Sequence, residues 1–502
     1  MELKLTRETL RFETMLGRGE EQVTIEGEAT LPGSMRDAVT VLSVQAQAHL
    51  TGAQAGNGEA AVRGRVCFQV LYTQGDLTRV RALETSCSFT HSQALAGVMP
   101  GARIVSAVSV QETEGMAGSG RMTLRALLSI AVEAFETAER EVITGAQAQQ
   151  TDSAANLQTL TQTASCCQSE LLGENKTLVR EEKDLPAKLG AGEVLCASAE
   201  ATASEISGGS GRVGVSGTIA VRVLHRPVTA GQPLVTTIHE LPYELRIDAQ
   251  LDEGVETATD VEVLDVMADC VESDKGRTLR LEAEVQVRLK GARKSQMQML
   301  TDLYSISGAV LEPVTETLDL HTCEAHAYAR ESTRLQVTMP PDAPPIGTML
   351  AAFAVPTLTA AAPVGKRLDA EGIMQVTLIY LPVDSDIPYA VNTREPFAMT
   401  FPIEADAGVN AYVRVLETMP GATTSDRAEI RCVLGLHAVQ HGVQRMQVVT
   451  DIREYPQEKQ ERGFMLVWPP EGESRWETAR RLRVAQESLR PAGKGALLAF
   501  RK

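Results

Sequence analysis

Aromatic residues are scarce in this chain of 502 residues: they make up 4% of it, and its two tryptophans, Trp468 and Trp476, both fall near the end. Cysteine is sparse too. There are eight, with Cys166 and Cys167 adjacent and no CxxC pair. That density cannot staple a disulfide scaffold, so the eight read as reduced, small apolar residues. No stretch approaches eighteen consecutive apolar residues, so none reads as a membrane-spanning helix. The opening MELKLTRETLRFETMLGRGEE mixes charges and has no apolar secretory core, which points to the cytosol. A basic cluster is also missing. The formal charge is −17, from 48 Lys and Arg against 65 Asp and Glu. Such a chain suits neither a phosphate backbone nor an anionic membrane surface, so nucleic acid and membrane are excluded as partners.

Catalytic signatures are absent as well. No G-x-S-x-G elbow, HExxH or dinucleotide fingerprint occurs, and the glycine-rich stretches 207–211 and 493–495 lack phosphate-loop spacing. Both read as turns. His321, Cys323 and His326 are metal-ligand types without a second pair at finger spacing. His437 and His441 are four apart, which suits a helical clamp, but their context is an alternating strand in which four residues span about 13 Å. The acidic residues are scattered, so no acid–base pair stands out. The expectation is a protein that is not an enzyme and holds no cofactor and no metal.

What the chain does have is a long repeat. Val62-Arg-Gly64-Arg-Val66-Cys-Phe68-Gln-Val70-Leu71-Tyr72 returns as Val215 to His225 and as Ala370 to Tyr380. In each copy a glycine precedes apolar residues at +2, +4 and +6, then an apolar residue at +7 and a ring at +8. Period-two alternation marks a half-buried strand. The glycines stand 153 and 155 residues apart, a spacing that fits whole domains. A second landmark follows each: Leu124-Arg125, Leu279-Arg280 and Ile430-Arg431, each opening another alternating run behind a polar turn (115–121, 272–277, 420–427). The arginines should face solvent or guard an edge. A shorter echo, Leu31-Pro32 to Val41-Leu42, recurs as Leu185-Pro186 to Val194-Leu195.

The chain therefore reads as mainly β: three tandem antiparallel sandwich- or barrel-like repeats over 1–144, 173–310 and 311–456, then a small module over 464–502. Segment 145–172, rich in Gln, Thr, Ala and Ser, reads as a polar linker turning helical. The charged run 457–463 reads as a second linker. In the tail, Met465 to Trp468 is a strand stopped by Pro469-Pro470, and Ser474 can cap a helix carrying Trp476, Ala479 and Leu482. Residues 485–489 read as a second helix and Leu497 to Phe500 as a closing strand, giving β-α-α-β.

This tail resembles a LysM module through Gly472-Glu473-Ser474-Arg475-Trp476-Glu477-Thr478-Ala479, then Val484 to Leu489, then Gly495-Ala-Leu497-Leu498. Glu473 stands where the pattern has Asp, Thr478 where it has Ile, and Arg490 near the usual asparagine. The asparagine and the Asp-Thr pair belong to the loops that hold N-acetylglucosamine glycans in typical members. Three glycine-strand repeats followed by one LysM resemble, over nearly the whole chain, the SPOCS-domain proteins of endospore-forming Clostridia. The resemblance implies a mother-cell cytosolic scaffold of spore-coat assembly at the forespore surface. It implies a protein partner, a SpoIVA-like coat ATPase, held by the tail, and it leaves self-association open. The alternative is a LysM protein that binds peptidoglycan or another N-acetylglucosamine glycan. The candidate partner-binding residues are Trp468, Gly472, Glu473, Ser474, Arg475, Trp476, Leu489 and Arg490, with Trp476 favoured as core.

Overall fold

The alternating runs become strands almost throughout. The computed structural model describes residues 3–501 apart from 32–37, 76, 119, 149–155, 210, 230, 274–275, 307–308, 406–408, 457–462 and 494, and it leaves aside the side chains of 209, 273, 323–325, 441 and 501. Eighteen strands form three units of six. The first holds β1 (Leu3–Thr30), β2 (Val39–Ala55), β3 (Glu59–Gln74), β4 (Val80–Ala94), β5 (Arg103–Ala117) and β6 (Arg121–Ala148). The second holds β7 (Leu157–Leu185), β8 (Ala191–Gly209), β9 (Arg212–Pro227), β10 (Val235–Ile247), β11 (Val255–Ser273) and β12 (Gly276–Ser305). The third holds β13 (Val310–Thr338), β14 (Ile346–Val364), β15 (Arg367–Pro382), β16 (Tyr389–Phe401), β17 (Asn410–Thr423) and β18 (Arg427–Tyr455).

Every unit repeats one topology. Two three-stranded antiparallel sheets, ordered β1-β6-β5 and β2-β3-β4 in the first unit, face each other across an apolar core. The glycine strand is the centre of one sheet (β3, β9, β15), and the second landmark opens the centre of the other (β6, β12, β18). Residues at +2, +4 and +6 fill the core, as do Leu124, Leu279 and Ile430. The glycine itself has a steric cause. It pairs across the ladder with Phe89, Tyr243 or Phe397. A Cβ at Gly64 would sit 2.4 Å from the Phe89 ring, and one at Gly372 would sit 2.7 Å from the Phe397 ring. Arg125, Arg280 and Arg431 face solvent, on central strands and not on edges.

Segment 145–172 departs from its expected helix. β6 runs on to Ala148, and β7 takes up the chain at Leu157 and pairs with the far end of β12. Ladder pairing overrides a composition that suits a helix equally well. This pairing belongs to a feature common to all units: the outer strands outrun their sandwich and form a two-stranded arm, as in Leu3–Met15 with Phe135–Ala148. Each arm carries a bulge at a threonine, Thr144, Thr301 or Thr450, whose hydroxyl donates to a carbonyl across the arm.

The units close into a ring with a quasi-threefold arrangement. At the arms, Leu10 and Phe12, Ala164 and Cys166, and Leu318 and Leu320 occupy equivalent positions and form one shared apolar cluster. At the opposite end of the sandwiches, Leu42, Leu195 and Leu350 meet Leu71, Leu224 and Ile379. The first three are unpaired residues at equivalent bulges in β2, β8 and β14. A bulge re-aims a side chain. Here it turns one leucine per unit out of its own sandwich and into the common cluster.

Polar contacts run in one direction round the ring. From first unit to second, His49 Nδ1 lies 2.8 Å from Glu262 and Arg65 donates to the Leu264 carbonyl. From second to third, Glu200 pairs with Arg414 at 3.4 Å. From third to first, Thr357 donates to the Gln111 carbonyl and Arg394 pairs with Glu112. A head-to-tail interface used three times and returning to its start is a closed cyclic arrangement. At the arm junction, buried Glu13 accepts from Arg103 of its own unit and from the Ser169 amide of the second, while His321 of the third packs edge-on to Phe135.

Among the described side chains six cysteines are free: Cys67, Cys87, Cys166, Cys196, Cys270 and Cys432. Cys167 is disulfide-bonded, which corrects the expectation that all eight are reduced. The Cys323 side chain lies outside the described residues.

Leu42→Ala, Leu195→Ala and Leu350→Ala should each lower stability by about 2–5 kcal/mol in chemical denaturation. Loss should come in one transition of the whole ring; a transition confined to one unit would contradict a shared core. The ring position at +8 supplies a second expectation. Tyr72 and Tyr380 are buried there, and the second unit has His225, fully buried against the Gly192 carbonyl and the Thr237 hydroxyl. Burial pushes the His225 imidazole below its ordinary value, and it does the same to its neighbour His239. Above about pH 6.5 both folded and unfolded chains hold it neutral. Below that the unfolded chain takes up the proton first, so stability falls as the pH drops. His225→Tyr should match the wild type at pH 7.5 and exceed it at pH 5.5 in denaturation midpoint.

Candidate functional site

The tail is built as a strand β19 (Gly463–Val467), a helix α1 (Arg475–Leu482), and strands β20 (Arg490–Gly493) and β21 (Ala496–Arg501), with sheet order β19-β21-β20. The expected second helix is a single 3-10 turn at Gln486–Ser488, and an extra strand follows it. The physical reason is local: Arg483 ends α1 in the left-handed region at φ 52°, and Pro491 lies just beyond Leu489.

Ser474 caps α1. Its hydroxyl accepts from the Glu477 amide, and the Glu477 carboxylate accepts from the Ser474 amide at 2.7 Å. These bonds to Ser474 hold the Glu477 carboxyl below the usual range. Glu473 is tied by a fork from Arg481 at 2.9 Å and by the Thr478 hydroxyl, and the Arg481 bond holds its carboxyl low as well. Arg475 reaches across to the Leu489 carbonyl, so the lip at 472–475 and the lip at 489–490 are strapped together. Gly472, at φ 85°, makes the turn before the cap and stays exposed. Arg490 is exposed and Leu489 fully buried.

The two tryptophans separate. Trp476 is buried with Ala479, Leu482, Val484 and Leu489, and it also meets the ring. Its indole N–H donates to Asp302 at 2.6 Å, and its ring sits edge-on to Tyr304 at 5.0 Å. Trp468 is 61% exposed. It stands one residue past the end of β19, continuing the alternate positions Phe464 and Leu466, which with Leu498 and Phe500 are the outward members of the pairs Phe464↔Phe500 and Leu466↔Leu498. Phe464 is 75% exposed, and its ring lies 4.7 Å from that of Phe500. The inward members, Met465, Val467 and Leu497, pack on the tail's own core. Sequence reading found Trp468 and missed the other four; the signal was the unbroken apolar run Phe464 to Trp468, whose alternate members cannot share one core.

The metal readings fare differently. His321 is buried in the arm junction, His437 stacks on Tyr328 at 4.5 Å, and the side chains of Cys323 and His441 lie outside the described residues. No cluster of three or more His, Cys, Asp or Glu able to hold a metal occurs among the described residues. No helix among them is long and apolar enough to cross a membrane. The ring surrounds a cavity of about 1550 Å³, lined by β2, β5, β8, β11, β14 and β17, with charges of both signs, including Arg222, Arg288, Glu200 and Glu262.

Ser474→Ala should remove the cap and cost the tail about 1 kcal/mol. Amide exchange should accelerate across α1 and leave the ring strands unchanged.

Residues 37–115, from the start of β2 into β5, match the family model described as SipL, SPOCS domain. No curated protein and no solved structure matches the chain. Residues 37–115 of the first unit are therefore similar to the SPOCS domain of the SipL family.

Proposed function

We propose that this chain is a non-enzymatic scaffold of endospore coat assembly, whose tail binds a SpoIVA-like coat ATPase from the mother-cell cytosol at the forespore surface. The observation that carries this reading is the uncovered sheet face of Phe464, Leu466, Trp468, Leu498 and Phe500. In a chain with so few aromatics, three stand together on one exposed face, and clustered exposed apolar surface marks interaction sites. Aromatics and arginine are the residue types enriched at protein interfaces, and Arg490 borders the face opposite Leu498. The tail is also basic, with eight Lys and Arg against four Asp and Glu in residues 464–502. That charge favours a partner surface that is apolar with acidic groups around it. The similarity of residues 37–115 to the SipL SPOCS domain supplies the sporulation context. The repeats then serve as the body that carries the head.

The glycan alternative finds less support. The strap from Arg475 to Leu489 crosses the groove between the two loops, and the Glu473 carboxylate is already engaged.

Trp468→Ala and Phe464→Ala should each weaken capture of the purified coat ATPase by about 2 kcal/mol, roughly 30-fold in Kd. The parallel measurement is retention on peptidoglycan. Binding to peptidoglycan that Trp468→Ala leaves intact, with no capture of the ATPase, would sink the scaffold reading.

A further inference from the structure

The arm of each unit ends in an equivalent strand segment just past its bulged threonine: Gly145–Ala148, Asp302–Ser305 and Asp451–Glu454. The three ends are quasi-equivalent, and the tail sits on the second. Asp302 accepts from Trp476 Nε1 at 2.6 Å and from Arg480 at 3.0 Å. The Tyr304 ring packs edge-on to Trp476, and its hydroxyl donates to the Val484 carbonyl at 2.8 Å. Arg483 donates to the Ser305 carbonyl, the Ser305 hydroxyl and the Ala309 carbonyl. Burial pushes the Tyr304 hydroxyl up to about 12, in keeping with a phenol enclosed between tail and ring.

The other two ends cannot repeat this set. The position of Tyr304 is Gln147 in the first unit and Arg453 in the third, and that of Asp302 is Gly145 in the first. The third unit keeps the acid, as Asp451, but replaces the ring with a cation that would face Arg480 and Arg483. A tail with two basic side chains, Arg480 and Arg483, on its docking face meets a carboxylate and an aromatic together at one end alone.

We infer that Asp302 and Tyr304 are positioning residues that select the second unit's arm for the tail, and that Trp476, Arg480 and Arg483 are its docking side. The tail is then a mounted head and not a tethered one. Its docking side uses α1 and the turn after it, so the face carrying Trp468 points away from the ring in one fixed direction. Each ring presents one such face, although its body has three quasi-equivalent arms. The inference concerns docking within the chain and goes beyond the identity of any partner. It also divides the two tryptophans: loss of Trp468 removes a contact on the outer face, whereas loss of Trp476 alters where that face points.

The test uses the full chain without any partner. Trp468→Phe leaves Trp476 as the sole tryptophan, a reporter of docking. In that background, Asp302→Ala with Tyr304→Gln should shift Trp476 emission to the red and raise its acrylamide quenching several-fold. The far-ultraviolet signal and the ring's unfolding midpoint should stay where they were. Asp302→Glu with Tyr304 retained should restore shielding, which a merely structural role for the strand end would not predict. Trp476 staying shielded in the double variant would overturn the inference. Should that variant not fold, amide exchange on the unmodified chain decides. Deleting residues 464–502 should deprotect the segment around 302–305 and leave the equivalent segments of the first and third units unchanged; a segment around 302–305 that keeps its protection would also overturn it. None of these readouts depends on partner capture, so failure here and failure of the scaffold reading remain distinguishable.

Discussion

Everything in this molecule depends on one apolar contact made three times over. A bulge in the second strand of each unit throws out a leucine, and that leucine meets a residue from the adjacent glycine strand. A two-sheet sandwich normally buries one face of each sheet and leaves the other to water. Here each unit has a second apolar surface that it cannot cover by itself. Three units can cover it together, and the arms repeat the solution at the other end with Leu10, Ala164 and Leu318 and their neighbours. Between these two clusters the sheet edges face a shared cavity, so the ring is held at its ends around a lining that mixes apolar side chains with charges of both signs.

Such closure explains where strand edges go. β2 and β5, with their counterparts, are the edges turned inward, and an unpaired edge is a site for unwanted pairing. The ring uses the backbone of those edges directly. Bulges at Gln111 and Leu264 remove their residues from the ladder, and their carbonyls accept from Thr357 and Arg65 of neighbouring units. The inward lateral edges of the units are thereby taken up inside one chain. The two most exposed aromatics among the described residues, Phe464 and Trp468, lie on the tail.

Much of each unit was legible in the sequence, and the ring was not. The glycine strand announced itself through period-two alternation, and its glycine follows from the aromatic across the ladder. The +7 residue is different. Leu71, Leu224 and Ile379 interrupt the alternation, standing between two core positions on what should be the wet face. Three apolar residues in succession signal a strand buried on both faces, but nothing local says what covers the second face. Two of the bulged leucines stood in a recurring pair, Val41-Leu42 and Val194-Leu195, but the bulge itself is a property of pairing and could not be read from one strand. The arm threonines did leave a mark, since Val142-Ile143-Thr144 returns as Met299-Leu300-Thr301 and Val448-Val449-Thr450. For the tail, Ser474 as a cap and Trp476 as core could be read directly. That Asp302 and Tyr304, far back in the chain, complete the Trp476 site could not, because no local pattern encodes a docking surface.

Three similar units in one chain also pose a problem of order. If all junctions were alike, a unit could take another's place, within the chain or from a second copy, at little energetic penalty. The cluster of bulged leucines does not discriminate, since leucine meets leucine or isoleucine in every case. The polar contacts do. One junction joins a histidine to a glutamate, the next a glutamate to an arginine, and the third a threonine to a backbone carbonyl beside an arginine–glutamate pair. Placing the third unit's Arg414 where Glu262 stands would take the carboxylate from His49 and leave Glu200 without its cation. Unpaired groups at a junction penalise the wrong partner more than correct pairs strengthen the right one. The shared leucines supply the drive to close, and the dissimilar polar contacts supply the order in which closure occurs. The tail extends the same logic, for it too meets three similar ends and finds the acid and the aromatic together at one of them.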